Sequence, residues 1–141
     1  MDLQDADWGR IFSRRHLKRM NRYRDFEAEP STRAKYEAWT TDPLLGVYEN
    51  PAGVVPNAIV VTTRGIYFKA ESSVCAVMFA DIASATSPSD KAGPGELKVV
   101  LRDGSQVTLR IEGSDEKYRD VYQFQMFMMA VVGLHSPSES R

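Results

Sequence analysis

The 141-residue sequence predicts an α+β domain: about seven short antiparallel strands in a sandwich or barrel, closed by a C-terminal helix and preceded by a helical extension. Three observations carry this. Ser114 to Gly133 has the signals of a helix that is apolar nearly all round, and a helix of that kind must be covered. Leu44 to Glu112 is a succession of β-prone runs separated by turn residues. The first 24 residues gather seven of the 18 basic side chains against three acidic ones, a charge of +4, leaving −5 on the remainder.

Taken in order, residues 6–26 are predicted helical, with Trp8, Ile11 and Phe12 on one face and Met20, Tyr23 and Phe26 continuing an uneven apolar stripe. Pro30-Ser31-Thr32 interrupts, and Ser31 or Thr32 caps a second short helix through Tyr36, Ala38 and Trp39. Leu44–Glu49 is the first strand. Asn50-Pro51-Ala52-Gly53 turns the chain into a second at Asn57–Thr63, where Ile59 and Val61 alternate with Val60 and Thr62. Arg64-Gly65 reverses it again. In the third strand Ile66, Phe68 and Ala70 point one way and Tyr67 and Lys69 the other, giving one dry face and one wetter face. Val74–Phe79 and Ile82–Thr86 follow as the fourth and fifth. After a loop from Ser87 to Gly95, Asp103-Gly104 turns a hairpin in which Leu97, Val99 and Leu101 match Val107, Leu109 and Ile111. Ser114 is placed to cap the last helix, Asp115 and Glu116 meet the positive end of its dipole, and Gly133 stands where a left-handed cap is expected. These elements divide the chain into a basic helical arm and linker (1–42), a β-rich domain (43–134) and a Ser/Pro-rich tail (135–141).

Size and composition suit one domain, with 43% hydrophobic residues and a net charge of −1. Val121 to Leu134 is too short to span a bilayer and holds two glutamines; the N-terminus has no apolar signal core, and Asp2, Asp5 and Asp7 argue against a transit peptide. A soluble, cytoplasmic protein is the expectation. Cys75 is the sole cysteine and lies in an apolar run, where a small buried side chain fits.

The order of seven short strands and one terminal helix over residues 43–134, with GVYEN (Gly46 to Asn50), NAIVVTTRGIYF (Asn57 to Phe68), ADIASAT (Ala80 to Thr86) and the Asp103-Gly104 hairpin, resembles the pleckstrin-homology-like superfold, in particular its GRAM-type and bacterial members. That resemblance implies two nearly orthogonal sheets closed at one end by the helix. Phosphoinositide-binding members of the superfold carry lysines and arginines in and beside the first hairpin loop. Here Asn50 to Asn57 has no basic residue, Arg64 lies at the far end of the second strand, and the tryptophan of the classical last helix is missing. Inositol-phosphate recognition is therefore not carried over.

No nucleophile and base, metal cluster or cofactor loop can be assembled from the residues, so the expectation is a non-enzymatic module without cofactor or metal. His16 and His135 are the only histidines and stand apart from Cys75. Gly93-Pro94-Gly95 lacks the strand, helix and lysine of a phosphate loop. Met126, Met128 and Met129 are expected to fill core before they serve as an adaptable surface. The arm is the strongest binding candidate: Arg10, Arg14, Arg15, Lys18, Arg19 and Arg22 interleave with Trp8, Phe12 and Tyr23. The expected partner is an acidic protein first, an anionic membrane surface second and nucleic acid last, because the body is acidic; homo-oligomers are compatible with exposed sheet edges.

Overall fold

A computed structural model describes residues 23–51, 53, 57–70, 73–86, 96–111 and 119–135. Among these residues the architecture is α+β, with eight strands in two antiparallel sheets and a C-terminal helix, not one closed barrel. The larger sheet runs in the order β1 (Tyr23–Asp25), β2 (Leu44–Glu49), β3 (Ala58–Thr62), β4 (Gly65–Ala70), β5 (Ser73–Met78). The smaller comprises β6 (Ile82–Thr86), β7 (Glu96–Leu101) and β8 (Gln106–Arg110). A 3-10 turn at Phe79–Asp81 joins the sheets, a short helix α1 (Pro30–Ala34) lies between β1 and β2, and α2 (Arg119–His135) follows β8.

Strands β2 to β8 fall on the runs that alternation and turn chemistry marked. The β3–β4 reversal is closed by Thr62, whose hydroxyl donates to the Gly65 carbonyl and accepts from the Gly65 and Arg64 amides at 3.0–3.1 Å. Gly65 is required there for space, since a Cβ would collide with the Val77 carbonyl oxygen. In the β7–β8 hairpin Gly104 takes φ +93°, and Asp103 accepts from the Ser105 amide (2.8 Å) and hydroxyl (2.6 Å). Those two bonds hold the Asp103 carboxyl below the usual carboxylate range.

Register carries one row of side chains across the inner face of the large sheet: Tyr23, Tyr48, Ile59, Phe68 and Cys75. This face shares its core with Leu97, Val99 and Leu109 of the small sheet and with Val121, Phe124, Phe127, Met128 and Val131 of α2. The rings of Phe124 and Phe127 meet edge to face at 6.2 Å; Phe124 also meets Tyr48 (6.2 Å) and Phe127 meets Phe79 (6.0 Å). The helix thus covers one side of the β-structure, but it is itself covered on one face only, since Tyr122, Met126 and Met129 remain exposed. At its first turn the buried Asp120 accepts a 2.7 Å hydrogen bond from the Tyr48 hydroxyl.

Three expectations change. Residues 23–26 do not end a helix: Tyr23–Asp25 is a strand on the β2 edge and Phe26 is in a turn. The three-residue spacing of Tyr23 and Phe26 imitates a helical stripe, but an extended chain sends i and i+3 to opposite faces, so Tyr23 enters the main core and Phe26 a second one. Gly46 permits this seating, because a Cβ there would collide with the Tyr23 hydroxyl and come within 2.6 Å of the Arg24 carbonyl oxygen. The second short helix begins at Pro30, behind Glu29, and ends before Tyr36; Thr32 is buried inside it and caps nothing. Gly133 does not terminate α2, which continues to His135. The helix 6–22, the Ser114 cap and the Ser/Pro tail lie outside the described residues.

The outer face of the large sheet is the unforeseen part. The next row, Arg24, Val47, Val60, Tyr67 and Ala76, faces away from the main core, yet Val47 and Val60 are completely buried. Phe26, Tyr36 and Trp39, from the segment between β1 and β2, lie over them.

Candidate interaction surface

The segment 26–43 acts as a strap, and its polar groups are committed to holding it. Phe26 and Tyr36 stack with centroids 6.1 Å apart, and Trp39 meets Tyr36 edge on at 5.2 Å. The Tyr36 hydroxyl donates to Glu49 Oε2 (3.0 Å), while Glu49 Oε1 takes Arg24 Nε (2.7 Å) and Arg24 Nη1 reaches Glu29 (3.2 Å). Burial, reinforced by the Glu49 hydrogen bond, pushes the Tyr36 hydroxyl up to about 12. The hydrogen bond that Arg24 donates to Glu49 strengthens the guanidinium's hold on its proton, though an ion pair exposed to water contributes only about 0–1 kcal/mol. At the other end the Tyr67 hydroxyl donates to Asp42 Oδ2 (2.7 Å), and its pKa is raised, mainly by burial. Lys69 Nζ sits 5.2 Å from the Trp39 ring centroid.

Beyond Trp39 the strap ends, and the β4–β5 corner of the outer face is open. Val74 is 41% exposed and Ala76 is exposed beside it. β5 is also the outermost strand of its sheet among the described residues. A second apolar surface runs along α2: Tyr122, Met126 and Met129 occupy i, i+4 and i+7 and are 47%, 40% and 44% exposed. The methionine group is therefore divided. Met128 fills core, while Met126 and Met129 line solvent.

Of the residues expected to bind, Trp8, Arg10, Phe12, Arg14, Arg15, Lys18, Arg19 and Arg22 lie outside the described residues. Tyr23, the remaining one, is only 7% exposed and belongs to the main core, where it cannot serve as a docking side chain. Tyr23 pairs with Tyr48, whose hydroxyl donates to Asp120 at the first turn of α2. Cys75 is half-buried on the inner face of β5, away from any second ligand of its kind. Among the described residues no three His, Cys, Asp or Glu side chains group as metal ligands, and no helix is long and apolar enough to cross a membrane.

The α2 stripe was legible as spacing in the sequence; its exposure was not, because the opposite face of the same helix is equally apolar. The uncovered β5 carried a fainter signal, a strand-length run with no charge. No family model matches this chain, and no curated protein or solved structure shows a significant match to it.

Proposed function

We propose that this protein is a non-enzymatic protein-interaction module on a pleckstrin-homology-like plan of the GRAM type. The plan is supported by the sequence of elements: β2 to β5 in one antiparallel sheet, β6 to β8 in a second, then a helix packed on the small sheet and the connecting turn. β1 is an addition to that plan, laid on the β2 edge, and it joins residues 23–25 to the body.

The interaction reading rests on the exposed stripe Tyr122, Met126, Met129. These are large apolar side chains on a rigid helix, anchored from behind by Phe124, Phe127 and Met128. A tyrosine and two methionines give an amphipathic, adaptable contact surface suited to an apolar face of a protein partner. The cluster of cations over residues 10–24 steers an acidic partner toward the protein.

The test is affinity capture from the native host, followed by calorimetry with the purified captured protein. The parent should bind it stoichiometrically, and the Tyr122→Glu/Met126→Glu variant should lose at least tenfold in affinity while melting with the parent. Unchanged affinity in the variant refutes the proposal. Sedimentation with anionic vesicles, reversed by salt, would assign the surface to membranes instead.

A further inference from the structure

The chain Ser-Val-Cys-Ala-Val-Met of β5 has no charged residue and no proline. An outermost strand presents unpaired N–H and C=O groups, and soluble proteins guard such edges with charge, proline, a bulge or a covering element. The other edges conform: β8 ends on the charged Arg110, whose carbonyl accepts from the Asn50 side chain at 2.7 Å. β1 is three residues long and carries Arg24 and Asp25. β6 is bulged between Ile82 and Ser84 and is covered by α2, whose Gln125 donates to the Ala85 carbonyl at 3.2 Å. Among the described residues β5 has none of these. Its pairing with β4 runs without a bulge from Gly65↔Met78 to Ala70↔Ser73, so the edge is straight over six residues.

Self-pairing fits this strand. In an antiparallel ladder of β5 with β5 about a two-fold axis, directly opposite residues must point to the same face, so the two positions have equal parity in the alternation. The register centred on Cys75 meets that condition. It sets the exposed Val74 of one copy against the small Ala76 of the other, twice, and brings no charged side chain of either strand into opposition. A two-fold contact closes on itself and consumes both free edges, so assembly stops at two. We propose that a second copy of this chain occupies the β5 edge, joining the two five-stranded sheets into one continuous sheet.

Sedimentation velocity over a concentration series should show the mass rising to twice the 15.9 kDa of one chain. Amide exchange along Ser73–Met78 should slow over the same range while that of α2 is unchanged. Val74→Lys/Ala76→Lys sets lysines of the two copies against each other and should remain a monomer that melts with the parent. Should it not fold, Val74→Lys alone serves, and the exchange measurement on the parent needs no variant. A parent that keeps the mass of one chain throughout, a dimer with unchanged exchange in β5, or a dimer that survives the lysines overturns the proposal. Tyr122→Glu/Met126→Glu should still dimerise, which separates failure here from failure of the α2 surface.

Discussion

Truncation of Phe124 or Phe127 measures how far the fold depends on α2. Both side chains are completely buried; Phe124 lies between Tyr48 and Phe127, and Phe127 between Phe124 and Phe79. Replacing a buried phenylalanine by alanine removes its transfer free energy and leaves a cavity lined by rings that cannot close in, a loss of about 3–5 kcal/mol. Each edge-to-face contact, worth about 0.5–1.5 kcal/mol, is contained in that figure and is not added to it. For a domain of this size, roughly 2–4 °C per kcal/mol converts the loss into a fall of melting temperature of about 6–20 °C. Urea unfolding followed by far-ultraviolet circular dichroism gives the free energy, and Met126→Ala on the exposed face of the same helix is the control, expected within about 0.5 kcal/mol of the parent. Because the two phenylalanines touch, the double variant should lose less than the sum of the singles. If Phe124→Ala and Phe127→Ala both unfold with Met126→Ala, α2 does not close the core and its packing against the sheets is wrong.

Gly46→Ala should cost about 1–3 kcal/mol, since the new methyl group meets the Tyr23 ring and the Arg24 backbone; a urea midpoint equal to the parent's would show that β1 does not seat across Gly46. The Tyr36 hydroxyl gives up its proton near 10.0 in the unfolded chain and near 12 in the folded one, so its stabilising contribution is complete below pH 10 and declines as pH rises through that interval. Subtracting the stability profile of Tyr36→Phe from that of the parent should leave a difference that shrinks between those values. A flat difference would mean that the strap does not hold Tyr36 against the sheet.

What the sequence determined by itself is whatever a local period records. Two-residue alternation marks a strand with one face inside, so Ile66 and Phe68 against Tyr67 and Lys69, and Leu97 and Val99 against Lys98, are assigned to their faces by alternation alone. Asp103-Gly104 names its own turn through a positive φ that glycine accepts cheaply. The near-continuous apolarity of 121–132 required that some face of the helix be buried, without saying which. Only the tertiary structure decided what lies on a second face. Val47 and Val60 are buried by a strap that returns from residues 26–43, and no alternation within β2 or β3 encodes that. The i, i+3 pair Tyr23 and Phe26 satisfies a helix and a strand flanked by two cores equally well, and pairing to β2 selected the strand. Met126 and Met128 differ in exposure because the sheets approach α2 from one side only. Likewise an uncharged run becomes a free edge, or a central strand, according to whether another strand lies beside it. Periodicity states which residues share a face; burial of that face is set by residues distant in sequence.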